Sequence, residues 1–228
     1  MIVEKYINMS GIYDGILGEI DCTDITGTNG YCDDEAKKIL RERLAEVSLK
    51  GLHFLDSGNY HYLSYFFLEK MEKDFALVLF DHHPDYQPPS FGDILSCGGW
   101  VKNAYEEFDH LKKVYMVDVD ENLFFDLKDM PKDVVYLKKD EAIPKDLPIY
   151  ISIDKDVLSE EDVACDWDQG DMRLSELIEI CKRFQDYEVL GVDVCGEKKN
   201  DPSDEEREKN THANELLRKC FDFVNMLC

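Results

Sequence analysis

The stretch LVLFDHHPDY, Leu77 to Tyr86, closes an apolar run with Asp81, His82, His83 and Asp85. A turn back to solvent needs one or two polar residues, usually Gly, Asn, Asp or Pro, and does not need two acids and two imidazoles together. A second apolar run, LPIYISID, ends on Asp154 and is followed by Lys155 and Asp156. A third, LHFLD, leads into SGNYH and His61. Side chains at i, i+2 and i+4 of an extended chain project to one side. Asp81, His83 and Asp85 are such a set, and so are Asp154 and Asp156; His82, one residue out of phase, should point away. With His61 the donors are four carboxylates and two imidazoles. Four carboxylates brought together without neutralisation repel one another and force some of themselves to take up protons. Two divalent cations remove that conflict. Carboxylate and imidazole donors without sulfur suit Mn²⁺, with Fe²⁺, Co²⁺, Ni²⁺ and Zn²⁺ as alternatives. Any one of these acids alone is more often a cap or a turn residue; the joint pattern is what indicates a metal.

The elements that must position these residues alternate in type. β-prone runs fall at 52–56, 76–81, 113–118, 133–137, 147–154 and 188–194, and helical patterns at 33–47, 61–73, 173–185 and 212–227. The strand runs lack strict apolar/polar alternation, which implies burial on both faces. Together with the intervening helices they predict an α/β domain around a parallel sheet. In such sheets ligands and catalytic groups gather at the C-terminal strand edge, so the three acid- or histidine-bearing loops should open on the same side. The acidic stretch CGEKKNDPSDEEREKN, Cys195 to Asn210, reads as a solvated loop that can also form one wall of a pocket.

The 228 residues, 44% of them hydrophobic, fit a single globular domain, 1–228. No apolar run reaches the roughly 18 residues of a membrane span, and MIVEKYINMSGIYDG lacks the features of a secretion signal; the expected location is cytoplasmic. The eight cysteines form no CxxC pair and no regular spacing, so neither a zinc knuckle nor a disulfide framework is expected. A net charge of −24 argues against nucleic-acid and anionic-membrane partners and suits a cationic small molecule or metal cations, although solubility explains it equally well.

These motifs, in this order, resemble the ureohydrolases: arginase, agmatinase and formiminoglutamase. SGNYHYLS is similar to that family's GGDHS segment and carries over His61. DHHPD resembles DAHxD and carries over Asp81, His83 and Asp85. SIDKDVLS resembles SxDxDxxDP and carries over Asp154 and Asp156. Weaker likeness continues through DQGDMRLSEL, GVDVCGE and DPSDEEREKNTHANELLRK, so the resemblance spans roughly residues 50 to 227. It implies a three-layer αβα sandwich around a predominantly parallel sheet, an arginase/deacetylase-like fold. It also implies two Mn²⁺ ions held by all six residues, a metal-bridging hydroxide, and hydrolysis of a C–N bond in a small linear amidine, guanidine or related compound. Asp85 would both ligate and hydrogen-bond that hydroxide. The relatives commonly assemble as homo-oligomers.

The departures fall on the substrate side. Where relatives carry a proton-shuttling histidine this chain reads LSCGGWV, placing Cys97 there; a small buried thiol is the alternative role for that residue. Where relatives grip a guanidinium with a glutamate, GVDVCGE places Gly196, and a one-residue bulge is needed for Glu197 to restore the acid. L-arginine is therefore a poor candidate substrate. Trp100, Trp167, Asp166 and Asp168 are further pocket candidates, although a surface loop explains DWDQGD equally well. Two other functions share the scaffold: a single-metal deacylase, and a metal-binding member without activity.

Overall fold

The computed structural model describes residues 4–88, 92 and 94–225. Its strands are β1 (Glu4–Asn8), β2 (Glu19–Asp21), β3 (Tyr31–Cys32), β4 (Leu52–Phe54), β5 (Phe75–Phe80), β6 (Leu95–Ser96), β7 (Leu111–Val117), β8 (Val134–Leu137), β9 (Ile149–Asp154) and β10 (Val189–Cys195). Its helices are α1 (Asp34–Leu44), α2 (Leu63–Leu68), α3 (Trp100–Glu107), α4 (Glu121–Phe125), α5 (Leu174–Lys182) and α6 (Asp204–Cys220). One sheet runs in the order β2-β1-β4-β10-β9-β5-β7-β8, and every pairing in it is parallel. The short strands β3 and β6 pair antiparallel beside it.

The non-alternating runs behave as a parallel sheet requires: every residue of β5 and of β9 is buried. Successive side chains still leave on opposite faces. Leu77 and Leu79 of β5 join one core with Leu40 of α1, Phe67 of α2 and Trp100 of α3. Val78 and Phe80 join a second core with Leu177 of α5 and Leu217 of α6. Helices thus cover both faces, and the architecture is the expected α/β sandwich of three layers.

Two of the four expected helices differ in their bounds, and α3 and α4 were not expected from the sequence. Where a helix is expected over 61–73, a 3₁₀ turn at Gly58–Tyr60 comes first and the helix itself, α2, runs only from Leu63 to Leu68. All six residues of α2 are buried, so no polar stripe marks its bounds. The last helix starts at Asp204, eight residues before the expected 212. Ser203 and Glu206 form a capping box there, and three acids in the first turn favour the helix N-terminus. Its inner face is Asn210, Ala213, Leu217 and Cys220; the expected end at 227 lies outside the described residues. Among the described residues no helix is long and apolar enough to cross a membrane, and the seven described cysteines are free.

Four neighbouring strands in the middle of the sheet position the site. β4, β10, β9 and β5 lie side by side and point the same way. Their C-terminal ends lead to His61, to Cys195–Glu197, to Asp154–Asp156 and to Asp81–Asp85.

Candidate metal centre

Asp81 is the first residue after β5, and its two carboxylate oxygens face different histidines. Oδ2 lies 3.1 Å from His61 Nδ1, and Oδ1 lies 3.7 Å from His83 Nδ1. On the His61 side, Nδ1 is also 3.0 Å from Asp85 Oδ2 and 3.7 Å from Asp154 Oδ2. On the other side, His83 Nδ1 is 3.0 Å from Asp156 Oδ2. The structure therefore brings together all six residues singled out as metal ligands. Donor atoms of His61, Asp81 and Asp85 converge within 4.8 Å of one another, as do those of Asp81, His83 and Asp156.

Local geometry explains the aim of each side chain. His61 caps the Gly58–Tyr60 turn, and its Nε2 lies 2.9 Å from Ser152 Oγ. Ser152 Oγ donates to Asp193 Oδ1 at 2.6 Å. That chain of bonds commits Nε2 to the outer side and leaves Nδ1 for the cavity. Asp85 has a positive φ of 47°, a conformation tolerated by Asp. Its Oδ2 accepts from the Trp100 indole N–H at 2.8 Å. His83 N–H donates to Asp81 Oδ1, and His82 N–H to Asp156 Oδ1. The His82 ring is in none of the donor clusters.

The charge balance is unusual for a buried place. His61, Asp81, Asp85, Asp154 and Asp156 are all buried. Burial raises the pKa of Asp81, Asp85 and Asp154, and a neighbouring carboxylate adds to each. Burial and then Asp81 raise Asp156 to about 6. Burial opposes protonation of His83, but its bonds to Asp156 and Asp81 outweigh it and carry it up to about 11. Even with both imidazoles protonated, four carboxylates would leave two negative charges uncompensated. Two buried atoms, His61 Nδ1 and Asp81 Oδ2, face each other without a hydrogen-bond partner. An orphaned imidazole nitrogen opposite an orphaned carboxylate oxygen is what a cation between them would satisfy. The residues fit a metal.

A small cavity of about 140 Å³ opens onto these groups, with Pro84, Cys97, Leu123 and Trp167 among its walls. Cys97 therefore reaches the cavity, but burial, with the charge of Asp85 next, pushes its thiol up to about 12. Glu197 does not line the cavity, which corrects its expected place beside the substrate. Its carboxylate is buried against Lys155 Nζ at 2.7 Å and accepts from Tyr13, Asn210 and Asn214. Burial opposes its ionisation, yet Lys155 and the two asparagines hold its pKa below the usual range. The reason is Gly196. Its φ is +90°, and a Cβ there would fall 2.4 Å from Asp154 Oδ1 and 2.7 Å from Lys155 N. The chain turns over Asp154 and sends the next side chain away from the cavity. Asp166 accepts from the backbone of Lys199 and Asn200, whereas Asp168 is exposed.

Sequence reasoning missed Ser152, Asp193, Lys155 and Cys195. The first two carried a readable signal, each a polar residue two positions before a strand-end residue in an otherwise apolar strand.

No protein-family model matches the chain. An uncharacterised protein of Thermotoga maritima is 32% identical over 170 residues, 70% of this chain and 65% of that protein. The chain thus spans about 65% of the length of the curated relative it matches. A hypothetical agmatinase from Burkholderia thailandensis superposes with a TM-score of 0.61 at 18% identity, covering 83% of this chain and 63% of that one. Trypanosoma cruzi formiminoglutamase with Mn²⁺ superposes with a TM-score of 0.62 at 12% identity, covering 91% and 73%. The chain has the ureohydrolase fold.

Proposed function

We propose that the chain is a dinuclear metal hydrolase of the ureohydrolase kind. It would cleave a C–N bond of a small linear amidine, guanidine or related compound. The observation that carries this reading is the convergence of three carboxylates on the buried His61 Nδ1, which lies 3.1 Å from Asp81 Oδ2 although neither atom makes a hydrogen bond. Asp81 turns its other oxygen to His83. One ion would be held by His61, Asp81, Asp85 and Asp154, the other by His83, Asp81 and Asp156. Mn²⁺ is the first choice, from the donor chemistry and from the Mn²⁺ of the Trypanosoma cruzi neighbour; Fe²⁺, Co²⁺, Ni²⁺ and Zn²⁺ are alternatives. Bound there, a pair of divalent cations supplies a water acidic enough to attack near neutral pH and polarises the group under attack.

The chain's own residues do the rest. Asp85, held by the Trp100 indole, accepts the proton of the attacking water. Trp167, Leu123 and Pro84 wall the small cavity and limit the water that enters with the substrate. The chain's net charge of −24 suits a cationic substrate. No side chain can leave Gly196 without meeting Asp154, so the guanidinium grip of the relatives has no counterpart, and amidines rank ahead of L-arginine. The test is release of urea, ammonia or formamide from a panel of amidines and guanidines with Mn²⁺, Co²⁺, Ni²⁺ or Zn²⁺. The reading requires turnover that disappears in Asp154→Ala; a panel without Asp154-dependent turnover refutes it. One feature favours a second reading, a binding protein without turnover: where the relatives carry a proton-shuttling histidine, the cavity wall here offers the Cys97 thiol, which burial disfavours from ionising. Metal-dependent ligand binding by calorimetry with no product would select it.

A further inference from the structure

Cys195 ends β10 and pairs in register with Asp154, which ends β9; two residues earlier the same strands pair Asp193 with Ser152. The two-residue repeat places Ser152, Asp154, Asp193 and Cys195 on one face of the sheet. His61 spans that face. Its Nε2 is taken by Ser152, and its Nδ1 lies 3.7 Å from Asp154 Oδ2. Cys195 Sγ lies 3.1 Å from that same oxygen. Donor atoms of His61, Asp154 and Cys195 all fall within 4.8 Å of one another, and all three residues are buried. The thiol is not an isolated feature, because the cluster converges on a buried imidazole whose Nδ1 makes no hydrogen bond. The other nearby thiols are placed differently. Cys97 lines the cavity but joins none of the donor clusters, and Cys165 Sγ donates to Gly196 O at 3.1 Å.

We infer that Cys195 is a thiolate ligand of the ion on the His61 side, an inference that rests on the dinuclear reading above. On binding, the S–H bond breaks, the sulfur–metal bond forms and the proton leaves to bulk water; no oxidation state changes. The consequence is selectivity. A nitrogen and oxygen donor set suits Mn²⁺, whereas adding sulfur favours Co²⁺, Zn²⁺ or Fe²⁺ at that position. The two halves of the centre then differ in preference, the His83 side remaining a carboxylate–imidazole site.

The test is anaerobic titration of the metal-free chain with Co²⁺, followed by absorption and by equilibrium dialysis, for the parent, Cys195→Ser and Cys97→Ser. The expected result is a sulfur-to-cobalt charge-transfer band in the near ultraviolet that persists in Cys97→Ser and vanishes in Cys195→Ser. Affinity for Co²⁺ should fall more than affinity for Mn²⁺ in Cys195→Ser. X-ray absorption of the Zn²⁺-loaded parent, which needs no variant at position 195, should show a sulfur neighbour at about 2.3 Å. Bound Co²⁺ with ligand-field bands but no charge-transfer band, or a band that survives Cys195→Ser, overturns the inference and leaves the dinuclear reading standing. No Co²⁺ binding at all overturns both.

Discussion

Replacing Gly196 by alanine tests whether the turn after β10 rests on Asp154. Two costs follow from the structure. At φ +90° an L side chain meets backbone strain of roughly 1–2 kcal/mol. The new Cβ would also sit 2.4 Å from Asp154 Oδ1 and 2.7 Å from Lys155 N. Relieving such overpacking costs about 1–3 kcal/mol. The sum is about 2–5 kcal/mol, a large share of the ~5–15 kcal/mol that stabilises a typical fold. For a chain of this size each kcal/mol shifts Tm by roughly 2–4 °C, so the melting point should drop by roughly 4–20 °C. Gly98 is the control: it lines the cavity at the metal site, and a Cβ there meets nothing within 4 Å. Gly98→Ala should change stability by no more than about 0.5 kcal/mol. Urea and thermal unfolding of the metal-free forms, followed by circular dichroism, measure both. If Gly196→Ala costs no more than Gly98→Ala, the packing of this turn on Asp154 is wrong, and so is the explanation for the displaced Glu197.

Other expectations follow from the same contacts. Lys155→Met leaves Glu197 buried without its partner and should cost about 3–5 kcal/mol in urea unfolding, part of which Glu197→Gln in the same chain should restore. Saturating Mn²⁺ at about 100 times the Kd of each site should stabilise the fold by about 2.7 kcal/mol per ion, about 5.4 kcal/mol for two, raising Tm by roughly 11–22 °C, and Asp154→Ala should lose that gain. The size of the gain depends on pH. Asp156, raised to about 6, holds protons in the folded state that the unfolded chain has released, so its contribution to metal-free stability falls as pH rises from about 4 to 6. His83, raised to about 11, contributes fully below its unfolded pKa of about 6.5 and loses that contribution towards 11. Both act in one direction, so the Mn²⁺-induced rise in Tm should be larger at pH 8 than at pH 5.5; scanning calorimetry showing the reverse would refute the electrostatic account. Ser152→Ala frees His61 Nε2 and should weaken metal binding on the order of 10–100-fold by calorimetric titration.

The six candidate ligands were legible because each lies at a strand end or in the turn that follows it, where residue type and two-residue spacing survive folding. The parallel sheet was legible because β5 and β9 are apolar at nearly every position. Glu197 was not, because the turn that redirects it depends on the approach of Gly196 to Asp154 across two strands. Lys155 looked like a spacer between two acids; only the fold brings α6, with Asn210 and Asn214, to the acid that pairs with it. The start of α6 was hidden by its own solvated acids, which read as loop although they suit a helix N-terminus. Cys195 was invisible as a donor because cross-strand register, not sequence spacing, sets it beside Asp154.

The central claim is two ions sharing Asp81. Anomalous diffraction from Mn²⁺-soaked crystals, recorded at the manganese edge, tests it most directly. Two peaks about 3.5–4 Å apart are expected, one beside His61 and Asp85, the other beside His83 and Asp156, both against the Asp81 carboxylate. A single peak, or none at these side chains, would contradict it.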